Sequence, residues 1–236
     1  MFAKSAELYD AIYAWKDYSA ESLKLTRIIR QHKASEGTRL LDVACGTGAH
    51  IPYLRPEFTI EGLDLDPGLL EVARSRNPGI TFHLGDMTHF DLGRKFDVVT
   101  CLFSAIGYAK TVPRLRDAVL NISNHLESWG VVIIEPWLMP DVYEAGKVYA
   151  TFVDKPDLKI ARMNISGIEE GLSILDFHYM VATAEGIEHF TERHELGLFS
   201  HEDYMQALEA SGLSVTHDPE GLTGRGLYIG VRKADC

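Results

Sequence analysis

Cysteine is scarce in this 236-residue chain: Cys45, Cys101 and Cys236 are an odd number, far apart, with no C-x-x-C pair. That excludes a disulfide framework or a zinc ribbon and fits a reducing compartment. Basic residues are outnumbered, 23 Lys and Arg against 34 Asp and Glu, for a net charge of −11. A surface of that sign repels phosphate backbones and anionic bilayers, so neither nucleic acid nor a membrane is an expected partner. Long apolar runs are missing too: Val131 to Leu138 is far shorter than a bilayer span. Residues Met1 to Glu7 lack the basic-then-apolar order of a secretory leader, so the expected location is the cytoplasm. Low-complexity segments, internal repeats and linkers are absent, which leaves one domain over 1–236 with elaborations.

What is present is an alternation of strand and helix. The first 35 residues carry Leu8, Ile12, Leu23, Leu25, Ile28 and Ile29 at helical spacings, broken at Trp15 to Ser19, and read as a helical cap. Strands are expected at Arg39 to Ala44, Thr59 to Asp64, Ile80 to Leu84, Phe96 to Leu102 and Gly130 to Glu135. Helices are expected near His50 to Leu54, at Pro67 to Arg76 and at Pro113 to Leu126. This rhythm is that of an α/β fold, a doubly wound and mostly parallel sheet covered on both faces. From about 146 to 199 the pattern becomes apolar–polar alternation without helices, the mark of inserted antiparallel strands with one wet face. A helix capped by Ser200 and strands at Leu213 to His217 and Gly226 to Arg232 close the chain. The antiparallel block has two readings, a wall of the site or the surface of a homodimer.

The strand ending in Asp42-Val43-Ala44-Cys45-Gly46-Thr47-Gly48 runs into a glycine turn, where side chains at Gly46 or Gly48 would fill the space a ligand needs. Asp64, 22 residues after Asp42, ends the next strand, where a carboxylate can accept both hydroxyls of a ribose. A dinucleotide site calls for a third glycine where this chain has Ile51, which weakens a hydride-transfer reading. Asp42 instead suits a cofactor bearing an ammonium, because it would repel a pyrophosphate. Ribose, ammonium and carboxylate together describe S-adenosylmethionine. Asp86 in Gly85-Asp86-Met87 can receive the adenine amino group while Met87 packs on the ring.

Asp42 to Gly48, Gly62-Leu63-Asp64, Gly85-Asp86-Met87 and Phe96-Asp97-Val98-Val99 resemble the successive motifs of class I S-adenosylmethionine-dependent methyltransferases. The resemblance implies a seven-stranded sheet whose last strand is antiparallel, and cofactor contacts at Tyr18, Asp42, Ala44, Gly46, Thr47, Gly48, Asp64, Leu65, Asp86, Met87 and Leu102. A tighter resemblance runs through Ala6 to Asp10, Lys16-Asp17-Tyr18, Leu92 to Phe96, Phe103 to Tyr108, Glu135-Pro136-Trp137 and Gly224 to Leu227. These are similar to the N,N-dimethyltransferases of dTDP-linked amino deoxysugars in antibiotic biosynthesis. The acceptor it implies is a dTDP-amino sugar, met by Tyr9, Ser104, Trp137, His178 and Arg225.

Arg225 between two glycines can offer planar paired donors to a diphosphate, with Arg162 or Lys159 completing a basic patch against the acidic background. Tyr108, after the Gly107 turn, is the candidate catalytic residue. Some members resembling this chain carry histidine there, and the tyrosine favours an orienting hydrogen bond over an obligatory base. Tyr9, Tyr13 and Tyr18 cluster in the cap, with Tyr18 chosen for the methionyl carboxylate. His178, His189 and His194 lie on a strand pattern without a metal-binding helix motif, so no metal is expected and a structural or substrate-lining role is. Cys45 is expected only to pack. Competing functions are methylation of another small amine or hydroxyl and a non-catalytic sensor of S-adenosylmethionine. A nucleic-acid methyltransferase is disfavoured because no Asn/Asp-Pro-Pro-aromatic run follows the fourth strand.

Overall fold

The computed structural model describes Ala6 and residues 8–234. The leader reading of Met1 to Glu7, apart from Ala6, and Cys236 lie outside the described residues. Helix α1 (Tyr9–Ile12) and helix α2 (Tyr18–His32) form the N-terminal cap. The break between them is set by Asp17, whose carboxylate accepts the Ala20 N–H at 2.9 Å and so starts α2. Leu25, Ile28 and Ile29 then recur on one buried face.

The main sheet has seven strands: β1 (Arg39–Val43), β2 (Thr59–Asp64), β3 (Thr81–Leu84), β4 (Phe96–Cys101), β5 (Leu126–Ile134), β10 (Leu213–Asp218) and β11 (Leu227–Arg232). Their order is β10-β11-β5-β4-β1-β2-β3. The chain runs outward from β1 through β2 to β3, then returns to place β4 on the other side of β1. That reversal opens a crevice at the carboxyl ends of β1 and β4, where ligands bind in open parallel sheets. As expected, the final strand β11 is antiparallel to β5. Helices α3 (Ile51–Leu54), α4 (Pro67–Arg76), α5 (Val112–Asn124) and α6 (His201–Ala210) connect the strands. Asp66 and Thr111 cap α4 and α5 ahead of a proline in the first turn, and Ser200 makes a reciprocal capping box with Asp203.

Most boundaries stand within a residue of the sequence reading, but the passage from α5 to β5 differs more. Helix α5 stops at Asn124 rather than Leu126, and β5 begins at Leu126 rather than Gly130. The register against β4 shifts between Phe96 and Val98, and Trp129 takes a positive φ of 63°. Gly130 follows because a Cβ there would sit 2.9 Å from the Glu127 carbonyl oxygen. Such a bulge depends on the partner strand, and helix periodicity carries no sign of it.

Between β5 and α6 the chain builds a second sheet of four antiparallel strands in sequence order: β6 (Val148–Lys155), β7 (Leu158–Glu169), β8 (Leu172–Thr183) and β9 (Gly186–Gly197). Its inner face buries Ile160, Phe177, Tyr179 and Val181 against Ile12 of the cap. Cap and second sheet thus meet over the crevice of the first. No helix among the described residues is long and apolar enough to cross a membrane.

Candidate active site

The crevice deepens into a cavity of about 740 Å³ between the carboxyl ends of β1, β2 and β4, the cap, and the inner face of the second sheet. At its donor end the turn after β1 is held left-handed, with φ of 54° at Ala44 and 57° at Gly46. A Cβ on Gly46 would meet no protein atom within 4 Å; it would project into open space, as a ligand cradle requires. Asp64 fixes this turn. One carboxylate oxygen accepts the Gly46 N–H at 2.8 Å and the other the Asp66 N–H at 2.9 Å. Asp42 accepts the Thr100 hydroxyl at 2.8 Å. Burial pushes the pKa of both Asp42 and Asp64 up, since their charge is largely removed from water. Two desolvated carboxylates at adjacent strand ends are suited to hydroxyl donors and a cation.

Asp86 differs. Burial opposes its charge, but hydrogen bonds from Thr88 and the guanidinium of Arg114 at 2.9 Å hold its pKa below the ordinary value. Tyr18, Ala44, Thr47, Leu65, Met87 and Leu102 also line the cavity. Gly48 does not. Its missing Cβ would lie 2.7 Å from the Asn77 amide nitrogen, so this glycine admits the end of α4 rather than a ligand.

Two polar networks the sequence did not reveal tie the cap down. Thr47 donates to Asp10 at 2.9 Å, and Arg76, which pairs with Asp10, donates to the Thr47 hydroxyl at 2.9 Å and carbonyl at 3.1 Å. Buried Lys16 meets Glu21 at 2.8 Å, Glu21 meets His50 at 2.9 Å, and the ammonium lies 3.9 Å from the centre of the Phe103 ring. His50 and Lys16 keep Glu21 ionised below the ordinary carboxylate range against the opposing effect of burial.

At the acceptor end, Arg225 donates to the Ser104 hydroxyl at 2.8 Å, and its guanidinium lies near the rings of Trp137 at 5.2 Å and Phe103 at 5.5 Å. Ser104 in turn donates to the Pro136 carbonyl at 2.7 Å, and the Trp137 indole donates to Ser173 at 2.8 Å. Buried Glu135 accepts from the Phe103 N–H and the Thr223 hydroxyl, strapping together the two loops that carry these groups. Arg162 enters the same space and donates to the Tyr13 hydroxyl at 3.0 Å. Tyr9, its ring tilted against that of Tyr13 with centroids 4.6 Å apart, and Tyr108 complete the lining.

At this end one of two alternatives drops out and one expected contact fails. Lys159 is exposed and pairs with Asp154, leaving Arg162 as the second cation of the patch. His178 points away from the cavity and stacks on His189 on the outer face at 5.7 Å. Side chains alternate along β8, so Phe177 and Tyr179 face inward and the residue between them cannot. The histidine of the second sheet that does line the cavity is His194, from β9. Among the described residues no group of three or more His, Cys, Asp or Glu is placed to hold a metal.

Residues 40–130 match the methyltransferase domain family. The chain is 41 % identical, over 96 % of its length and 90 % of the relative's, to a dTDP-3-amino-3,6-dideoxy-alpha-D-glucopyranose N,N-dimethyltransferase of Streptomyces fradiae. It is 39 % identical, over 96 % of its length and 92 % of the relative's, to a dTDP-4-amino-2,3,4,6-tetradeoxy-D-glucose N,N-dimethyltransferase of Saccharopolyspora spinosa. The crystal structure of DesVI from Streptomyces venezuelae superposes with a TM-score of 0.91 at 39 % identity, covering 98 % of this chain and 99 % of that one. An S-adenosylmethionine-bound structure of CalS10, an amino pentose methyltransferase from Micromonospora echinaspora, gives 0.86 at 37 %, covering 96 % and 97 %.

Fold, glycine cradle and paired strand-end carboxylates define the class: a methyltransferase whose cofactor is S-adenosylmethionine. Within that class, the chain belongs to the family of dTDP-amino-deoxysugar N,N-dimethyltransferases.

Proposed function

We propose that this enzyme methylates the amino group of a dTDP-linked amino deoxysugar, twice. The observation that carries the reading is the acceptor end of the cavity, where Arg225, its guanidinium beside two aromatic rings and its donor held by Ser104, meets the inner wall of the second sheet. A nucleotide sugar brings a diphosphate for that guanidinium and flat groups for Trp137 and Phe103. Similarity to the amino-sugar enzymes extends across the second sheet, not only the cofactor motifs.

On this reading Asp64 accepts the ribose hydroxyls, Asp42 attracts the ammonium, Tyr18 meets the methionyl carboxylate, and Asp86 and Met87 border the adenine. The cofactor supplies a methyl group already activated on a sulfonium. What the chain supplies is mainly position, holding a neutral amine in line with that carbon and keeping water out beneath the cap. The chain is read as a single methyltransferase domain built around this cavity. Unpaired Cys45 and Cys101 support work in a reducing cytoplasm, and the net charge of −11 argues against nucleic acid as a partner.

Incubation with S-adenosylmethionine and a panel of dTDP-amino sugars, simple amines and hydroxyl acceptors, read by mass spectrometry, is expected to give dimethylated sugar nucleotide. Turnover of a simple amine alone would reassign the acceptor, and cofactor binding without any turnover would make the chain a sensor.

The reading includes pairing of two copies through the outer face of the second sheet. There the strand register sets Val148 beside Ile165 and Phe152 beside Ala161, and Val148, Phe152 and Ile165 are 76, 68 and 63 % exposed. Clustered exposed apolar side chains on a sheet face are a frequent site of protein–protein contact. Sedimentation is expected to show a dimer that Phe152→Glu dissociates; a wild-type monomer at micromolar concentration would contradict it.

A further inference from the structure

Methyl transfer needs a neutral amine, and an aliphatic amine carries a proton at pH 7, so that proton must go somewhere before each of the two transfers. The Tyr108 hydroxyl lines the cavity and lies 2.7 Å from Nδ1 of His194. On the far side of the same imidazole, Nε2 lies 3.8 Å from a carboxylate oxygen of Glu192. His194 and Glu192 are two residues apart on β9 and therefore on one face; they are 3 and 9 % exposed, away from bulk water. The negative charge on that side favours one tautomer. Nε2–H faces the carboxylate and Nδ1 is left to accept the tyrosine O–H. A histidine is thus present behind a tyrosine that by itself is a poor base, and burial pushes the Tyr108 pKa higher still.

We propose that His194, working through the Tyr108 hydroxyl, receives the proton that the sugar ammonium sheds, with Glu192 stabilising the imidazolium that results. The inference rests on the amino-sugar reading and deepens it. In the step, the ammonium N–H proton passes to the Tyr108 oxygen as the tyrosine's own proton passes to Nδ1. The freed nitrogen lone pair then forms the N–C bond, the S–C bond breaks, and sulfur keeps the electron pair. The imidazolium releases its proton to solvent when the spent cofactor leaves, and the secondary ammonium repeats the sequence.

Among the described residues the titratable groups around this pair include Tyr9 of α1, Tyr13 at its end, Asp64 of β2, Arg162 of β7 and Tyr179 of β8, besides Glu192 itself. Arg162 donates to Tyr13 and Tyr179, so its charge is directed toward those hydroxyls. Glu192 is the carboxylate on the Nε2 side of the ring.

The test is the pH profile of kcat/KM on the dTDP-amino sugar that the wild type methylates, with cofactor affinity measured alongside. His194→Asn keeps an acceptor near the Nδ1 position but cannot take up a proton. It is expected to lose about a hundredfold at pH 7 and to move the acidic limb to higher pH, where the amine is free without help. Glu192→Gln removes the charge that favours the imidazolium, so its acidic limb is expected to move the other way, to lower pH. Tyr108→Phe combined with His194→Asn is expected to be no slower than either alone, and cofactor affinity should stay within about threefold throughout. Opposed shifts would establish the relay; a residue that only supports the fold would move neither limb. Coincident limbs in all three proteins, with the wild type active, overturn the relay and leave the amino-sugar reading standing. A wild type inactive on every sugar nucleotide overturns both.

Discussion

Asp64→Ala is expected to weaken S-adenosylmethionine binding by about a thousandfold in calorimetry while the protein still melts cooperatively. The carboxylate holds the Gly46 and Asp66 N–H groups and thereby the shape of the turn that admits the cofactor. It also supplies the lone pairs assigned to the ribose hydroxyls. Two hydrogen bonds to a charged acceptor contribute about 4 kcal/mol together, which corresponds to roughly three powers of ten in affinity. Asp64→Asn, which keeps one acceptor oxygen, should recover part of that loss. An alanine variant that binds the cofactor within about threefold of wild type would remove the donor half of the site as described.

Arg225→Ala is expected to act at the opposite end, raising the KM for the sugar nucleotide roughly 150-fold and leaving cofactor affinity nearly unchanged. Loss of paired, charge-assisted contacts to a diphosphate is about 3 kcal/mol, and 1.4 kcal/mol is a factor of ten. Arg225→Lys should recover little, because an ammonium can neither bridge two phosphate oxygens in a plane nor bond Ser104 while stacking beside Trp137 and Phe103. Equal losses for cofactor and sugar nucleotide would show that the substitution disturbs the Ser104 loop instead, and would withdraw the phosphate assignment.

The donor half was legible in the sequence because its constraints are local. A glycine that must leave room, and an acid at the tip of each of two consecutive strands, lie within a few residues of features that periodicity locates well. Gly48 shows the limit even there: sequence marks a position that tolerates no side chain, and only packing reveals whether a ligand or the end of α4 takes the space. The acceptor half was less legible because its residues meet across the fold. Chemistry alone does not separate the three histidines of β8 and β9, of which His178 is the expected contact, whereas strand parity places Phe177 and Tyr179 inward and His178 outward. The inner aromatics at alternate positions were the available signal. Tyr108 and His194 come together only when β9 passes over the turn after β4. The Lys16–Glu21–His50 chain, likewise, joins residues whose charges look like an ordinary solvated helix face until Lys16 is seen to be buried.

The second sheet occupies one unbroken stretch of chain hung between β5 and α6, while the residues assigned to the donor come from other segments. Changes inside that single contiguous block can therefore reshape one wall over the acceptor and leave the machinery of methyl delivery intact, while Tyr9, Ser104, Trp137 and Arg225 meet the acceptor from outside it. That division gives a lineage of such catalysts a short mutational route from one sugar to the next.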